Sequence, residues 1–260
     1  MISNKILLFV PCYNCSSHII STLNNVKKNI DKMIDEIILV DNGSTDNTIQ
    51  IIKKYLKDTN DLKIKLLVNK NNYSLGGSHK VAFNYALNNN FNFVITIHGD
   101  NQGDAKDIYS ILNEKKYIDF DCFFGSRFHK NSKLKNYSKI RIMGNYIFNS
   151  VFSILLFKKI LDIGAGINVY NKSFFQDKSF LRFPNSLMFN PYLHFYAILN
   201  GYKTKFFPID WSEEGQVSNV KFFREVYSLV KLVFLLIFYR KSLIKNNFTK
   251  KINYEYDVVL

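Results

Sequence analysis

A chain of 260 residues suffices for one α/β domain with a short extension around a single core. Its formal net charge of +14 favours anionic partners, whether nucleic acid, anionic lipid or phosphorylated small molecules, without choosing among them. Three cysteines, an odd count, exclude a disulfide framework, and no run of about 20 apolar residues is present to span a bilayer.

Residues 6–10, Ile-Leu-Leu-Phe-Val, read as a buried strand, and the short lead before them leaves no room for a signal peptide. A polar loop follows, then an amphipathic helix over residues 17–29. Residues 36–40 form a second strand closed by Asp41-Asn42-Gly43-Ser44, with Ser44 or Thr45 capping the next helix. Residues 63–68 are a third strand; Gly76 and Gly77 precede a helix that runs to Leu87. Residues 93–97 are a fourth strand, ending at His98-Gly99-Asp100. Strand and helix alternating at this spacing predict an α/β fold with a mostly parallel, doubly wound sheet. Ligands of such sheets bind at the carboxyl ends of the strands, where Asn14, Asp41 and Asp100 all fall.

The second half is less regular, and it holds much of the chain's 24 Phe and 16 Tyr. A helix is expected over residues 138–161, with basic residues at both ends and an apolar middle. A turn at Asp162-Ile163-Gly164-Ala165-Gly166 leads into a strand at 167–170. A further helix lies within 184–200, a strand at 203–208, and an amphipathic helix at 220–242, with the polar last residues loose. The division expected is residues 1–215 as the principal domain and 216–260 as a helical extension and tail. Residues 147–157 and 226–239 are apolar, flanked by Lys and Arg, and too short to cross a membrane. They suit either a core helix or the membrane interface, where the basic flanks meet anionic headgroups; for residues 232–239 the interface is preferred.

Three clusters carry the chemistry: Pro11-Cys12-Tyr13-Asn14, Asp41-Asn42-Gly43-Ser44-Thr45-Asp46, and His98-Gly99-Asp100-Asn101-Gln102. Each alone reads as a turn or a helix cap. Together, in this order and at successive strand ends, they resemble family 2 glycosyltransferases over residues 5–215. That resemblance implies a Rossmann-like GT-A domain and an inverting transfer from a UDP- or GDP-linked sugar. Pro11, Tyr13 and Asn14 would line the base pocket, Asp41 would accept from a base N–H or ribose hydroxyl, and Asn42, Ser44 and Gly99 would complete the donor loops. Asp100 and Gln102 would hold Mg²⁺ or Mn²⁺, since hard cations take oxygen ligands and phosphates complete the sphere. The family often has Asp-x-Asp where this chain has His98-Gly99-Asp100, so one carboxylate is missing and metal affinity is expected to be lower. His98 is assigned a hydrogen-bonding role rather than a ligand's. Lys80 would approach the phosphates of the departing nucleoside diphosphate.

Gly125-Ser126-Arg127 and Arg141 narrow the resemblance to polyprenyl-phosphate glycosyltransferases, a branch similar to dolichol-phosphate mannose synthase. There Arg127 and Arg141 would grip an acceptor phosphate, a task that suits a guanidinium fork, with Ser126 of the same loop and Asn145, one helical turn beyond Arg141, as substrate-binding residues. The turn from Asp162 to Gly166 also resembles that branch, although the Arg that often follows is Asn168 here. Transfer to a hydroxyl needs a carboxylate base, which the family places at the start of a late helix; Met188-Phe189-Asn190-Pro191 has none. This favours an anionic lipid phosphate, unless Asp177, Asp210, Glu213 or Glu214 folds into the site. The implied location is the cytoplasm, peripheral on the inner face of a membrane.

The rival readings are weaker. A dehydrogenase would show Gly-x-Gly-x-x-Gly after its first strand, and that loop holds no glycine here. The basic residues are spread along the chain and match no nucleic-acid-binding motif, so no nucleic acid partner is assigned. Cys12 and Cys15 form a C-x-x-C pair, but a structural zinc site needs a second pair; reduced thiols are preferred to a redox dithiol. Two alternatives stay open: transfer to a sugar hydroxyl in cell-surface polysaccharide or glycolipid synthesis, and a sugar-nucleotide-binding protein without turnover.

Overall fold

The apolar run at residues 6–10 becomes the middle of a sheet covered on both faces, as a strand with no polar alternation must. A computed structural model describes residues 4–214, 222–249 and 252–259. From β1 (Ile6–Cys12) the chain passes through α1 (Ile19–Asn29), β2 (Glu36–Asp41), α2 (Thr48–Thr59), β3 (Ile64–Asn69), α3 (Ser74–Asn88) and β4 (Phe93–Ile97). A short α4 (Tyr109–Asn113), β5 (Cys122–Ser126), β6 (Leu134–Lys135) and a long α5 (Lys139–Leu156) follow. Then come β7 (Ile167–Asn171), α6 (Lys172–Phe175), α7 (Phe189–Leu199), β8 (Thr204–Pro208) and β9 (Trp211–Ser212). The described chain closes with α8 (Phe222–Phe238), α9 (Arg240–Lys245) and β10 (Tyr256–Val258).

The main sheet has the order β10-β3-β2-β1-β4-β7-β5-β8. Strands β1, β2, β3 and β4 pair in parallel, as do β5 and β8; β7 runs against both β4 and β5, and β10 against β3. Side chains alternate across β1: Leu7 and Phe9 enter a layer with Phe83 and Phe189, whereas Ile6, Leu8 and Val10 enter the opposite layer with Ile19, Leu23 and Val26. Much of the chain's Phe content fills the first of these layers, where Phe83 stacks on Phe175 and meets Phe180 edge-on.

Several boundaries differ from the sequence expectation. Helix α2 starts at Thr48, with neither Ser44 nor Thr45 capping it. Ser44 is bound to Asp41 and Thr45 to Asn14, and the Thr48 amide donates to Asp46 Oδ1 at 3.0 Å. Gly76 and Gly77 lie inside α3 rather than before it. A Cβ on Gly76 would stand 2.6 Å from the Pro184 carbonyl, so only glycine lets this helix approach the segment before α7 so closely. Helix α5 stops at Leu156 because Phe157 turns left-handed at φ 53°, and Ser153 Oγ then accepts from the Ile160 amide at 2.9 Å. The start of the expected helix at 220–242 lies outside the described residues. The loose tail is corrected outright: residues 256–258 add an antiparallel strand to the edge of β3, so the extension ends back on the principal sheet.

Among the described residues no helix is long and apolar enough to cross a membrane. Both debated helices are two-sided. Phe152 and Leu156 of α5 and Leu232 and Leu236 of α8 are buried, while Met143, Ile147, Ile154, Tyr227, Phe234 and Phe238 are exposed. One face of each helix belongs to the core, and the other presents contiguous large apolar side chains, which isolated surface hydrophobes do not.

Candidate active site

The parallel register sets Cys12 beside Asp41 and Phe9 beside Thr96, so the carboxyl ends of β1, β2 and β4 open on one side. There the first two loops latch. The Asn14 amide donates to Ser44 Oγ at 3.0 Å, and Asn14 Oδ1 accepts from the Thr45 amide at 2.8 Å. Asn14 itself is left-handed, a conformation asparagine tolerates well. Asp41 is wholly buried, and its carboxylate accepts from the Gly43 and Ser44 amides and from Ser44 Oγ. It therefore shapes the turn instead of facing a nucleotide as expected. Asn42 is likewise spent: its Nδ2 donates to Asn72 Oδ1, and its Oδ1 accepts from Asn69 Nδ2 and the Tyr73 amide. The exposed groups at this mouth include Tyr13, Asn14, Thr45 and Asn72, with Pro11 and Ser44 half-buried. Asn72 was missed; its only signal was an Asn-Asn pair just past the third strand.

Lys80 is corrected. Neither solvated nor aimed at phosphates, it is fully buried, and its ammonium donates to the carbonyls of Leu181 and Phe183, to Asn185 Oδ1 and to the Tyr254 hydroxyl. Desolvation pulls it down to about 7. It ties α3 to the segment before α7 and to the C-terminal tail.

The third loop is held close to the first. The Gly99 amide donates to the Pro11 carbonyl, and a Cβ on Gly99 would stand 3.1 Å from that oxygen. Asp100 is half-buried, and desolvation raises its carboxyl above the usual range, a cost that a bound cation would relieve. Gln102 is half-buried beside it, its amide donating to Asp100 Oδ1 at 3.3 Å. No group of three His, Cys, Asp or Glu side chains converges on a metal position among the described residues. The donor set is thus one carboxylate and one amide oxygen, which fits a hard cation whose remaining ligands are phosphate oxygens. His98 packs against Gly166 and is pushed down to about 4 by burial, with the Arg127 charge adding, so the imidazole is neutral. Its buried Nε2 has no protein partner, and neither has Nε1 of Trp211, which packs beside it against Gly166. Trp211 was not singled out from the sequence, yet the Ser212 amide that follows it donates to the Gln102 carbonyl at 2.9 Å.

The arginines behave differently from each other. Arg127 is buried, with Nε and Nη2 each 2.8 Å from an oxygen of Asp162, and Nη1 donating to the Tyr137 hydroxyl. The fork expected to grip a phosphate is closed on a carboxylate that is itself fully buried. Ser126 is also buried, at the end of β5, where its Oγ accepts from the Phe128 amide and fixes the loop. Arg141 is more accessible: Nη1 lies 2.8 Å from Glu213 Oε1, with side-chain exposures of 29% and 24%. Asn145 sits one turn on, as expected, and donates to the Arg141 carbonyl. Next to Arg127, Phe128 opens a groove of about 360 Å³ between α5 and residues 159–161, lined largely by apolar atoms of Tyr146, Ile154 and Ile160. The three cysteines are buried free thiols.

Below Trp211, Asp107 Oδ2 accepts from the Asp210 amide at 2.6 Å. Burial, with Asp210 and Asp104 nearby, pushes Asp107 up to about 6 from an ordinary 3.8. The folded state therefore holds this proton more tightly, and the stability it contributes is lost as pH rises from 3.8 towards 6. Asp107→Asn keeps the acceptor without the charge. Allowing for solvent screening, it should gain about 1 kcal/mol, or roughly 2–4 °C in Tm. That gain should appear above pH 6 and vanish near pH 4 in paired thermal melts; an equal gain at both would sink the assignment.

The profile of Glycosyl transferase family 2 matches residues 8–179. The UDP-N-acetylglucosamine–dolichyl-phosphate N-acetylglucosaminyltransferase of Methanococcus voltae is 24% identical over 188 residues, which cover 66% of this chain and 72% of that protein. Three further curated relatives are uncharacterized, and the chain spans 65%, 75% and 27% of their lengths. Among solved structures, Staphylococcus aureus TarS 1–349 in complex with UDP superposes with a TM-score of 0.61 at 20% identity, over 92% of this chain and 69% of that one. Glucosyl-3-phosphoglycerate synthase from Mycobacterium tuberculosis, in complex with Mn²⁺, UDP and glucosyl-3-phosphoglycerate, gives 0.58 at 11% identity, over 98% and 87%. At these identities the two structures establish a shared fold.

Proposed function

This chain belongs to glycosyl transferase family 2, and on that premise we propose that it moves a sugar from a nucleotide-sugar donor to a polyprenyl phosphate with inversion. The observation that carries the acceptor reading is the placement of Arg141 on α5, the helix that walls an apolar groove further along its length and whose outer face is apolar. A lipid phosphate is a molecule with that pairing of chemistries. Two further points support it: the Methanococcus voltae relative is named for a dolichyl-phosphate acceptor, and the start of α7, where the family resemblance puts the base for a hydroxyl, has Asn190 and no carboxylate.

In this reading Tyr13, Asn14, Ser44 and Asn72 border the base and ribose, and Asp41 and Asn42 hold their loops in register. Asp100 and Gln102 would hold Mg²⁺ or Mn²⁺, which when bound offsets charge on the leaving diphosphate. Arg141 orients the acceptor phosphate, while Arg127 keeps the loop of Ser126 and Phe128 in place. An acceptor oxygen attacks the anomeric carbon as the bond to the diphosphate breaks; being already anionic, it needs no base. The exposed faces of α5 and α8, with Lys158, Lys231 and Lys241 on or beside them, rest on an anionic membrane surface.

A second reading, transfer to a sugar hydroxyl, is favoured by one observation: Glu213 does fold into the acceptor side. The test is metal-dependent release of nucleoside diphosphate from a panel of UDP- and GDP-sugars, with and without undecaprenyl phosphate in detergent. Release that requires the lipid is the expected outcome. Release with sugar acceptors alone would replace it by the second reading, and no release from any donor would leave a binding protein without turnover.

A further inference from the structure

The two acceptor-side guanidiniums do not stand as a cationic seat. Each already has a carboxylate, Arg127 with Asp162 and Arg141 with Glu213, so the four charges cancel. A phosphate entering this site must displace one of the two carboxylates. Asp162 is the wrong one to move, because it is fully buried and accepts from the Arg127 amide, Arg127 Nε and Nη2, and the Gly164 amide. Glu213 is a quarter exposed, and its side chain meets Arg141 through Oε1 at the edge of the site. Its backbone is fixed, however: the Glu213 amide donates to the Lys135 carbonyl, and the preceding amide donates to Gln102. The next carboxylate, Glu214, is taken by Lys135.

We propose that Glu213 is a resident competitor in the acceptor site: it occupies Arg141 until the acceptor phosphate replaces it, and so sets how tightly that phosphate is held. This rests on the polyprenyl phosphate reading above and names what sets the affinity of that acceptor. A monoanion, such as a carboxylate or a phosphodiester, offers Arg141 no more than Glu213 already does. A phosphate monoester carries a charge of about −1.5 to −2 near neutral pH and more acceptor oxygens, so it wins the exchange. Opening the ion pair costs every entering anion the same, so the built-in competitor lowers all their affinities by one factor, and at a given concentration only an anion that binds Arg141 more strongly than Glu213 does takes the site.

The experiment compares wild type, Glu213→Gln and Glu213→Asp as full chains, with undecaprenyl phosphate as acceptor and methyl phosphate or dimethyl phosphate as competing anions. Glu213→Gln should lower the acceptor KM by about threefold to tenfold, as expected for loss of a partly exposed competing pair. The inhibition constants of methyl phosphate and dimethyl phosphate should fall by the same factor, and Glu213→Asp should bring them back towards wild type. A Gln variant with unchanged KM and unchanged anion inhibition constants overturns the assignment of Glu213 alone, provided the wild type depends on the lipid. Collapse of kcat in that variant also overturns it, since a general base for a hydroxyl would behave so. Wild-type turnover independent of the lipid overturns the acceptor reading and this competitor role together.

Discussion

Replacing Asp100 by Ala is expected to lower donor turnover by about a thousandfold or more while leaving the fold in place, on the scale of losing a principal transition-state charge stabiliser. The carboxylate stands at the carboxyl end of β4, outside both apolar layers, and folding disfavours its charge rather than drawing on it. Its removal therefore takes nothing from the core. In the Asp-x-Asp pattern that the family resemblance implies, neutral His98 stands at the place of the first acid, so Asp100 is the one carboxylate this motif supplies to the proposed metal site. Nucleoside diphosphate release measured across a Mg²⁺ and Mn²⁺ titration, alongside thermal melts, checks this. A melting temperature within about 3 °C of wild type, corresponding to roughly 1 kcal/mol, shows the fold is kept. An Asp100→Ala enzyme that still turns over with metal dependence would refute the assignment.

Asp162→Ala should cost about 3–5 kcal/mol, because it strands the buried Arg127 guanidinium without a counter-charge. In a chain of this size that is on the order of 10 °C in Tm. Arg127 also holds the Asp162 carboxyl below its usual range, so the pair's contribution is present above an ordinary 3.8 and lost as pH falls through the depressed value. The double replacement Arg127→Met, Asp162→Leu removes both charges and should recover most of the loss. If Asp162→Ala melts like wild type, the pair is not holding the loop. If the double variant is as unstable as the single, shape rather than charge is what the site needs.

The alternation of apolar runs with amphipathic segments was enough to place β1 to β4 and the helices between them, because that pattern records burial directly. The three strand-end clusters were legible for the same reason: in a parallel sheet, carboxyl ends must share one edge. Strand β5 was not foreseen, since its Gly125-Ser126 end has the composition of a loop, and its strand state comes from pairing with β7 and β8. Strand β10 is three residues long with an aspartate in the middle, and only the open edge of β3 makes it a strand.

What the amino-acid order determined by itself was the fold class, the family and the edge of the sheet to which the proposed site belongs. What only the tertiary structure decided was the state of each charged group: Lys80 enclosed by carbonyls, Arg127 spent on Asp162, and Arg141 held by Glu213. The reason is physical. Periodicity is a local property of ten or so residues, whereas a buried charge depends on a partner that lies 35, 72 or 103 positions away and is brought within 3 Å by packing alone.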